Sequence, residues 1–130
     1  MSPDEIRRLS SGSPFEEPFG FSRALRKGSR VLVSGTGPVW ADGSSDPDAG
    51  AQARRCLEIV GRALEEAGAS LEQVVRTRMF IVDDADSAAV GAAHLEAFGE
   101  VRPAATMVVV AALLDPRWKV EIEAEAELPQ

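Results

Sequence analysis

Four glutamates, Glu121, Glu123, Glu125 and Glu127, occupy alternate positions of one C-terminal segment, so a strand there projects all four from one face. Carboxylates in such a row can hold a water or move a proton. Four of them buried together would repel one another and raise their own pKa values, so Glu125 and Glu127 read as a solvated face. His94 is the one histidine of the chain, and the one side chain whose unperturbed pKa lies near neutrality. It sits on an apolar helical stripe, where histidines ordinarily pack; acid, base or carboxylate donor are its chemical alternatives. Arg76 and Arg78 share a strand face with Val74, Phe80 and Val82 and either pair with glutamates or lend a positive charge to a cleft. Cys56 reads as a small packing residue. Trp40, in a loop, suits a cleft wall or a cover for the core.

What is missing narrows the chemistry further. One cysteine permits no intrachain disulfide and no thiolate zinc site, and one histidine excludes HExxH and any two-histidine site within a subunit. Neither lysine, Lys27 or Lys119, lies in a GxxxxGK(S/T) loop. GxSxG and GxGxxG are absent, and Ser34-Gly35-Thr36-Gly37 is only a short glycine turn. The 130 residues carry 14 Lys+Arg against 21 Asp+Glu, a formal charge of −7, which disfavours nucleic acid as a partner. No apolar run reaches the roughly 18 residues of a membrane span. Arg7 and Arg8 are not followed by the apolar stretch of an export signal, so the expected location is cytoplasmic.

The elements that must position these residues follow from pattern. Residues 1–19, rich in Ser, Pro and acidic residues, read as a flexible arm ahead of a single domain over 20–130. Phe21–Lys27 and Arg30–Thr36 form a hairpin about Gly28-Ser29. Asp46-Pro47 predicts a helix start, and apolar residues at three- and four-residue steps from Ala49 to Ala67 give its buried stripe, ended by Gly68. Val74–Val82 alternates as a strand. Asp84 or Asp86 caps a second helix carrying Val90, Ala93/His94 and Ala97/Phe98. Ala104–Leu114 is nearly all apolar, and Lys119–Glu127 alternates strictly. The predicted order is ββαβαββ, an α+β two-layer sandwich with helices on one face of a mixed sheet. Because the Ala104–Leu114 run is apolar at odd and even positions alike, both faces of its strand call for burial, and a partner subunit is the expected cover.

Three blocks in order and spacing carry a family resemblance: GFSRALRKGSRVLVSGTG, AQARRCLEIVGRALEEAGASLEQVVRTRMFIVD and RPAATMVVVAALLDPRWKVEIEAEA. They resemble the Rid family (reactive intermediate deaminase, YjgF-like) over roughly residues 20–126. The resemblance implies a fold like the trimeric type of chorismate mutase, a homotrimer, and three clefts between subunits. It also implies hydrolysis of imines and enamines to oxo acids and ammonia, without metal or cofactor. An imine carbon is already electrophilic, so such a site need only orient it, supply a water and stabilise the carbinolamine.

Carried over residue by residue, the resemblance makes Glu121 and the Gly35 backbone the expected catalytic groups, Glu121 positioning water and Gly35 aiding polarisation. Phe21, Ser34, Gly91, His94, Ala105, Thr106 and Arg78 are the expected lining of a cleft for a small-molecule ligand. Three positions depart from the family pattern. Phe21 stands where a tyrosine is frequent, Gly91 where an asparagine is common, and Ala105 where active members place the arginine that clamps a substrate carboxylate. Arg102 precedes the proline and leads into the strand. Arg78 or Arg23 is left to supply the missing charge from another wall. A non-catalytic ligand-binding trimer is the alternative reading, and the ribonuclease activity once attached to the family is a minor one.

Overall fold

A computed structural model describes residues 2–129. Its sheet has six strands: β1 (Ile6–Leu9), β2 (Ala24–Lys27), β3 (Arg30–Thr36), β4 (Val74–Ile81), β5 (Ala104–Val109) and β6 (Val120–Glu127). They lie in the order β1-β2-β3-β6-β4-β5, antiparallel except for the β4–β5 pair, so the architecture is the expected mixed α+β sandwich. Three helices are present, the short α1 (Glu16–Phe19), α2 (Ala49–Glu66) and α3 (Ser87–Phe98).

Alternation explains the sheet. On β4, Thr77, Met79 and Ile81 are buried under the helices while Arg76, Arg78 and Phe80 face outward, and β6 buries Val120, Ile122, Ala124 and Ala126 in the same way. The stripe of α2 (Ala53, Cys56, Leu57, Val60, Leu64) fills the layer above them, each large side chain contributing about 1.5–3 kcal/mol on burial. The β2–β3 turn is the two-residue Gly28-Ser29, with Gly28 at φ +57°, a conformation that favours glycine.

The structure departs from the sequence reading at four places. Residues 1–19 are not loose throughout: Ile6–Leu9 pairs with β2, from Ile6↔Lys27 to Leu9↔Ala24, and α1 follows. The cap of α2 is Asp48, whose Oδ2 accepts from Ala51 N at 2.9 Å; Asp46 instead accepts from Trp40 Nε1 at 2.9 Å. A 3-10 turn over Asp84–Asp86, held by Asp83 Oδ1 on Ala85 N, precedes α3, and Asp86 makes no capping bond. Finally, β5 stops at Val109, well short of Leu114, because its partner β4 stops at Ile81.

A polar pin fixes the loop between β5 and β6. Gln52, fully buried on α2, donates to the carbonyls of Asp46 (2.7 Å) and Arg117 (2.9 Å) and accepts from Lys119 N (2.7 Å). One side chain thereby satisfies three backbone groups and fixes the segment that carries Trp118, whose ring lies against Gly37 just past β3.

Candidate functional site

Glu121 lies on the outer face of β6, directly over β3. A Cβ added to Gly35 would meet its Oε2 at 2.8 Å, so only glycine lets the carboxylate sit there. Two residues on, a Cβ at Gly37 would meet the Trp118 ring at 2.6 Å. The β3–β6 register shifts between Val33 and Thr36, and Gly35 stands within this irregularity, with Gly37 just past the strand's end. Arg23, 8% exposed, reaches the same segment: its Nη1 donates to Gly35 O and Thr36 Oγ1, both at 2.9 Å. These residues, with Phe21 and Trp40, line an open cavity of about 760 Å³ that also takes in residues 10–15 of the arm and Asp115.

Burial pushes the Glu121 carboxyl above its ordinary range; Arg23 opposes the shift and Glu123 adds to it. A carboxyl so placed exchanges a proton nearer neutrality than an exposed one. Burial lowers the Arg23 pKa, countered by Glu16 and Glu121. Glu16, buried on α1, has its Oε2 3.8 Å from Arg23 Nε and is held by the hydroxyls of Ser10 and Ser11. Burial raises the Glu16 pKa, but these hydroxyl bonds, the Ser11 amide and Arg23 outweigh it and leave the group below its ordinary value.

The expected site residues fall into two groups. Phe21, Gly35 and Glu121 stand together in the cavity. Ser34 is beside it but spent on the hairpin, its Oγ donating to Ser22 O at 2.7 Å. The second group is elsewhere. Ala105 is in register with Thr77, whose Oγ1 meets His94 Nε2 at 2.8 Å, so Ala105, His94 and the neighbouring Gly91 belong to the helix side of the sheet. Burial alone lowers the His94 pKa. Thr106 and Arg78 share a register position on the outer face, where Arg78 Nη1 pairs with Glu123 Oε1 at 3.0 Å and with Glu125 Oε2 at 3.6 Å. Arg30 and Arg76 also reach Glu125, so that carboxylate is paired rather than merely solvated.

Ala105 and Glu121 therefore point to opposite faces, two strand spacings (roughly 10 Å) and three residues apart. Within one chain they do not meet. Trp118, Gly37, Gln52 and Glu16 were not foreseen as site residues. Their signal lies in contacts between distant segments, which spacing along the chain does not carry; only the Asp115-Pro116 turn marks the loop that holds Trp118.

The class this defines is a two-layer α+β protein with an open cleft at a glycine-bearing irregularity in its sheet. The profile of the family described as Endoribonuclease L-PSP matches residues 15–128, and the chain belongs to that family, the Rid (YjgF/RutC) proteins. It is similar to an uncharacterised Streptomyces coelicolor protein, 41% identical over 129 residues that cover 97% of this chain and 95% of the relative. The 3-aminoacrylate deaminase RutC of Acinetobacter baylyi is 37% identical over 102 residues, 75% of this chain and 79% of RutC. A crystal structure of a YjgF/YER057c/UK114 family member from Mycobacterium tuberculosis superimposes with a TM-score of 0.88 at 44% identity, covering 95% of this chain and 100% of that one. No helix among the described residues is long and apolar enough to cross a membrane.

Proposed function

We propose that this chain works in the cytoplasm as a homotrimer whose intersubunit clefts hydrolyse imines or enamines bulkier than the usual small 2-imino acids. The observation that carries the reading is the Glu121 carboxyl, half-buried, seated over Gly35 and raised in pKa by burial. In the proposed reaction Glu121 takes a proton from water as its oxygen adds to the imine carbon. That proton passes to nitrogen to give the carbinolamine; Glu121 then takes the carbinolamine hydroxyl proton and returns it to nitrogen as the C–N bond breaks and C=O forms, so ammonia leaves an oxo compound behind. Assembly is supported by β5, an edge strand whose Ala105, Thr106, Val108 and Val109 are exposed in the single chain. RutC, a deaminase by name, supports the reaction class.

The absence of an arginine at Ala105 favours a second reading, a trimer that binds a small molecule without turning it over. Ribonuclease action is disfavoured by the charge of −7 and the single histidine.

The test is release of ammonia from imines generated in situ by an amino-acid oxidase, with semicarbazide trapping to count free imine. Bulky imines should be hydrolysed faster than 2-iminobutyrate, and Glu121→Gln should abolish the acceleration. Ala105→Arg should shift preference toward 2-iminobutyrate. Saturable binding with no ammonia from any imine would establish the second reading instead. Sedimentation at the mass of one subunit at micromolar concentration would overturn the trimer.

A further inference from the structure

Trp40 is the residue whose role the sequence leaves open, and the structure keeps it out of the core: it is 40% exposed and lines the cavity that holds Glu121. It is nevertheless held from several directions. Its Nε1 donates to Asp46 Oδ2 at 2.9 Å, and the Asp46 carbonyl is in turn anchored by buried Gln52. Its backbone closes a turn, Trp40 N donating to Ser44 O at 3.0 Å and Gly43 N to Trp40 O at 2.9 Å. One face of the indole lies on the Arg55 guanidinium, whose Cζ is 4.1 Å from the ring centroid. Arg55 is itself fixed, Nε donating to Val39 O at 2.9 Å and Nη1 pairing with Glu58 Oε2 at 3.3 Å. Since Arg55 covers one face, the exposure belongs to the opposite face and the ring edge. Ordering a large side chain is ordinarily repaid by burial, yet this one is ordered and left uncovered. Ile59 and the exposed Leu114 extend the apolar lining of the same cavity.

We infer that Trp40 is a stacking shelf for a planar aromatic ring, the bulky part of the cleft's substrate, which lies flat on the indole face opposite Arg55. The shelf specifies the substrate class of the proposed reaction, imines or enamines bearing an aromatic ring, and rests on that reading for the reacting end alone. Two features select an aromatic ring over an aliphatic one. A flat indole face offers offset stacking, which is worth more than the area it buries. The guanidinium behind it draws π-density toward itself, which strengthens stacking with an electron-rich ring on the far face. A third feature serves affinity: because the indole is held before the ligand arrives, little side-chain freedom is lost on binding.

Titration of the full chain with two neutral alcohols, 2-naphthaleneethanol and its fully saturated analogue, tests this. Hydrophobic burial alone favours the saturated compound or treats the two alike. The chain has two tryptophans, so a proton–nitrogen correlation spectrum carries two indole signals to follow. The wild type should bind 2-naphthaleneethanol about 3- to 10-fold more tightly than the saturated alcohol, the range of an aromatic pair. The Trp40 indole signal should shift as the aromatic alcohol binds. Trp40→Leu, which keeps apolar bulk without a π-face, should level the two alcohols, and Trp40→Phe should recover part of the preference. The wild-type comparison needs no variant, so misfolding of Trp40→Leu leaves the proposal exposed. Equal wild-type affinities, no binding of the aromatic alcohol, a Trp40 signal that stays still while it binds, or a preference surviving in folded Trp40→Leu would each overturn the shelf. Neither alcohol is hydrolysed. Stacking without ammonia release from any imine would therefore refute catalysis and leave the shelf standing, and imine hydrolysis without the preference would do the reverse.

Discussion

The two halves of the candidate site are built to opposite standards. Around Glu121 the structure is crowded: Gly35 and Gly37 are glycines because Glu121 and Trp118 already occupy the space a Cβ needs. Around Ala105 it is bare: a Cβ at Gly91 would meet nothing within 4 Å, and the Ala105 methyl is exposed. Sterics therefore dictate glycine in the first half and not in the second. The small residues of the second half leave room, and the room is where a ligand or a neighbouring subunit can enter.

The largest effect should come from breaking what holds the crowded half together. Gln52→Leu would leave Lys119 N–H and the carbonyls of Asp46 and Arg117 without their partner, a loss of about 3 kcal/mol or more. Urea denaturation should show a lower midpoint. Unchanged stability would mean that water replaces the amide and that the pin is dispensable.

Gly37→Ala should cost about 1–3 kcal/mol, since its methyl lands on the ring of a buried indole rather than on the free end of a flexible side chain. Gly35→Ala is the sharper comparison. Its methyl meets the end of a carboxylate, which can swing away, so stability should fall less than in Gly37→Ala while the cleft chemistry suffers more. Parallel denaturation curves and imine assays distinguish the two; equal stability losses would show that Glu121 is as rigidly held as Trp118.

These contacts mark where sequence stops being informative. Strands β4 and β6 are legible because alternating polarity encodes which face is buried, whatever they pair with. The same is true of the α2 stripe. Strand β1 is not legible: Ile6-Arg7-Arg8-Leu9 joins the sheet through backbone bonds at an edge, and only Leu9 is half-buried against the core. The end of β5 is invisible in an apolar run because the partner strand decides it. In the site, Glu121 and Gly35 were found through motif resemblance, and their actual contact explains the glycine. Arg78 drew attention as a cation near glutamates and proves to be paired with them. Arg23, in contrast, gains its place from where the hairpin's start folds back on Gly35, and Trp118 from a close approach to Gly37 that neither segment signals alone.

The bare half should tolerate filling. Gly91 is a helical residue of α3 with ordinary backbone geometry, so Gly91→Ala should stabilise the protein by about 0.5–1 kcal/mol through helix propensity and reduced unfolded-state freedom. A thermal midpoint that rises by a few degrees would fit. A fall would mean that another subunit packs against the Cα of Gly91, which would itself locate the interface.

The smallest effect is a pH dependence from His94, the polar group at the edge of the bare half. Burial lowers its pKa below the ordinary 6.5, with Thr77 Oγ1 bonded to Nε2 at 2.8 Å and the Phe98 ring centroid 4.5 Å away. No carboxylate lies within ion-pair distance of the imidazole among the described residues, so nothing there favours the charged form. As pH falls below 6.5, the unfolded chain takes up its proton first, and the folded protein follows only at its lower pKa. Stability should therefore decline as pH drops through that window and level off below the folded value. Glu16 adds a separate loss at still lower pH, because its folded pKa is depressed and its stabilisation disappears on protonation. His94→Gln should remove the first decline and keep the second. Were the slope just below pH 6.5 identical in wild type and His94→Gln, the histidine would not titrate with folding, and a charged partner from a neighbouring subunit would be the remaining explanation.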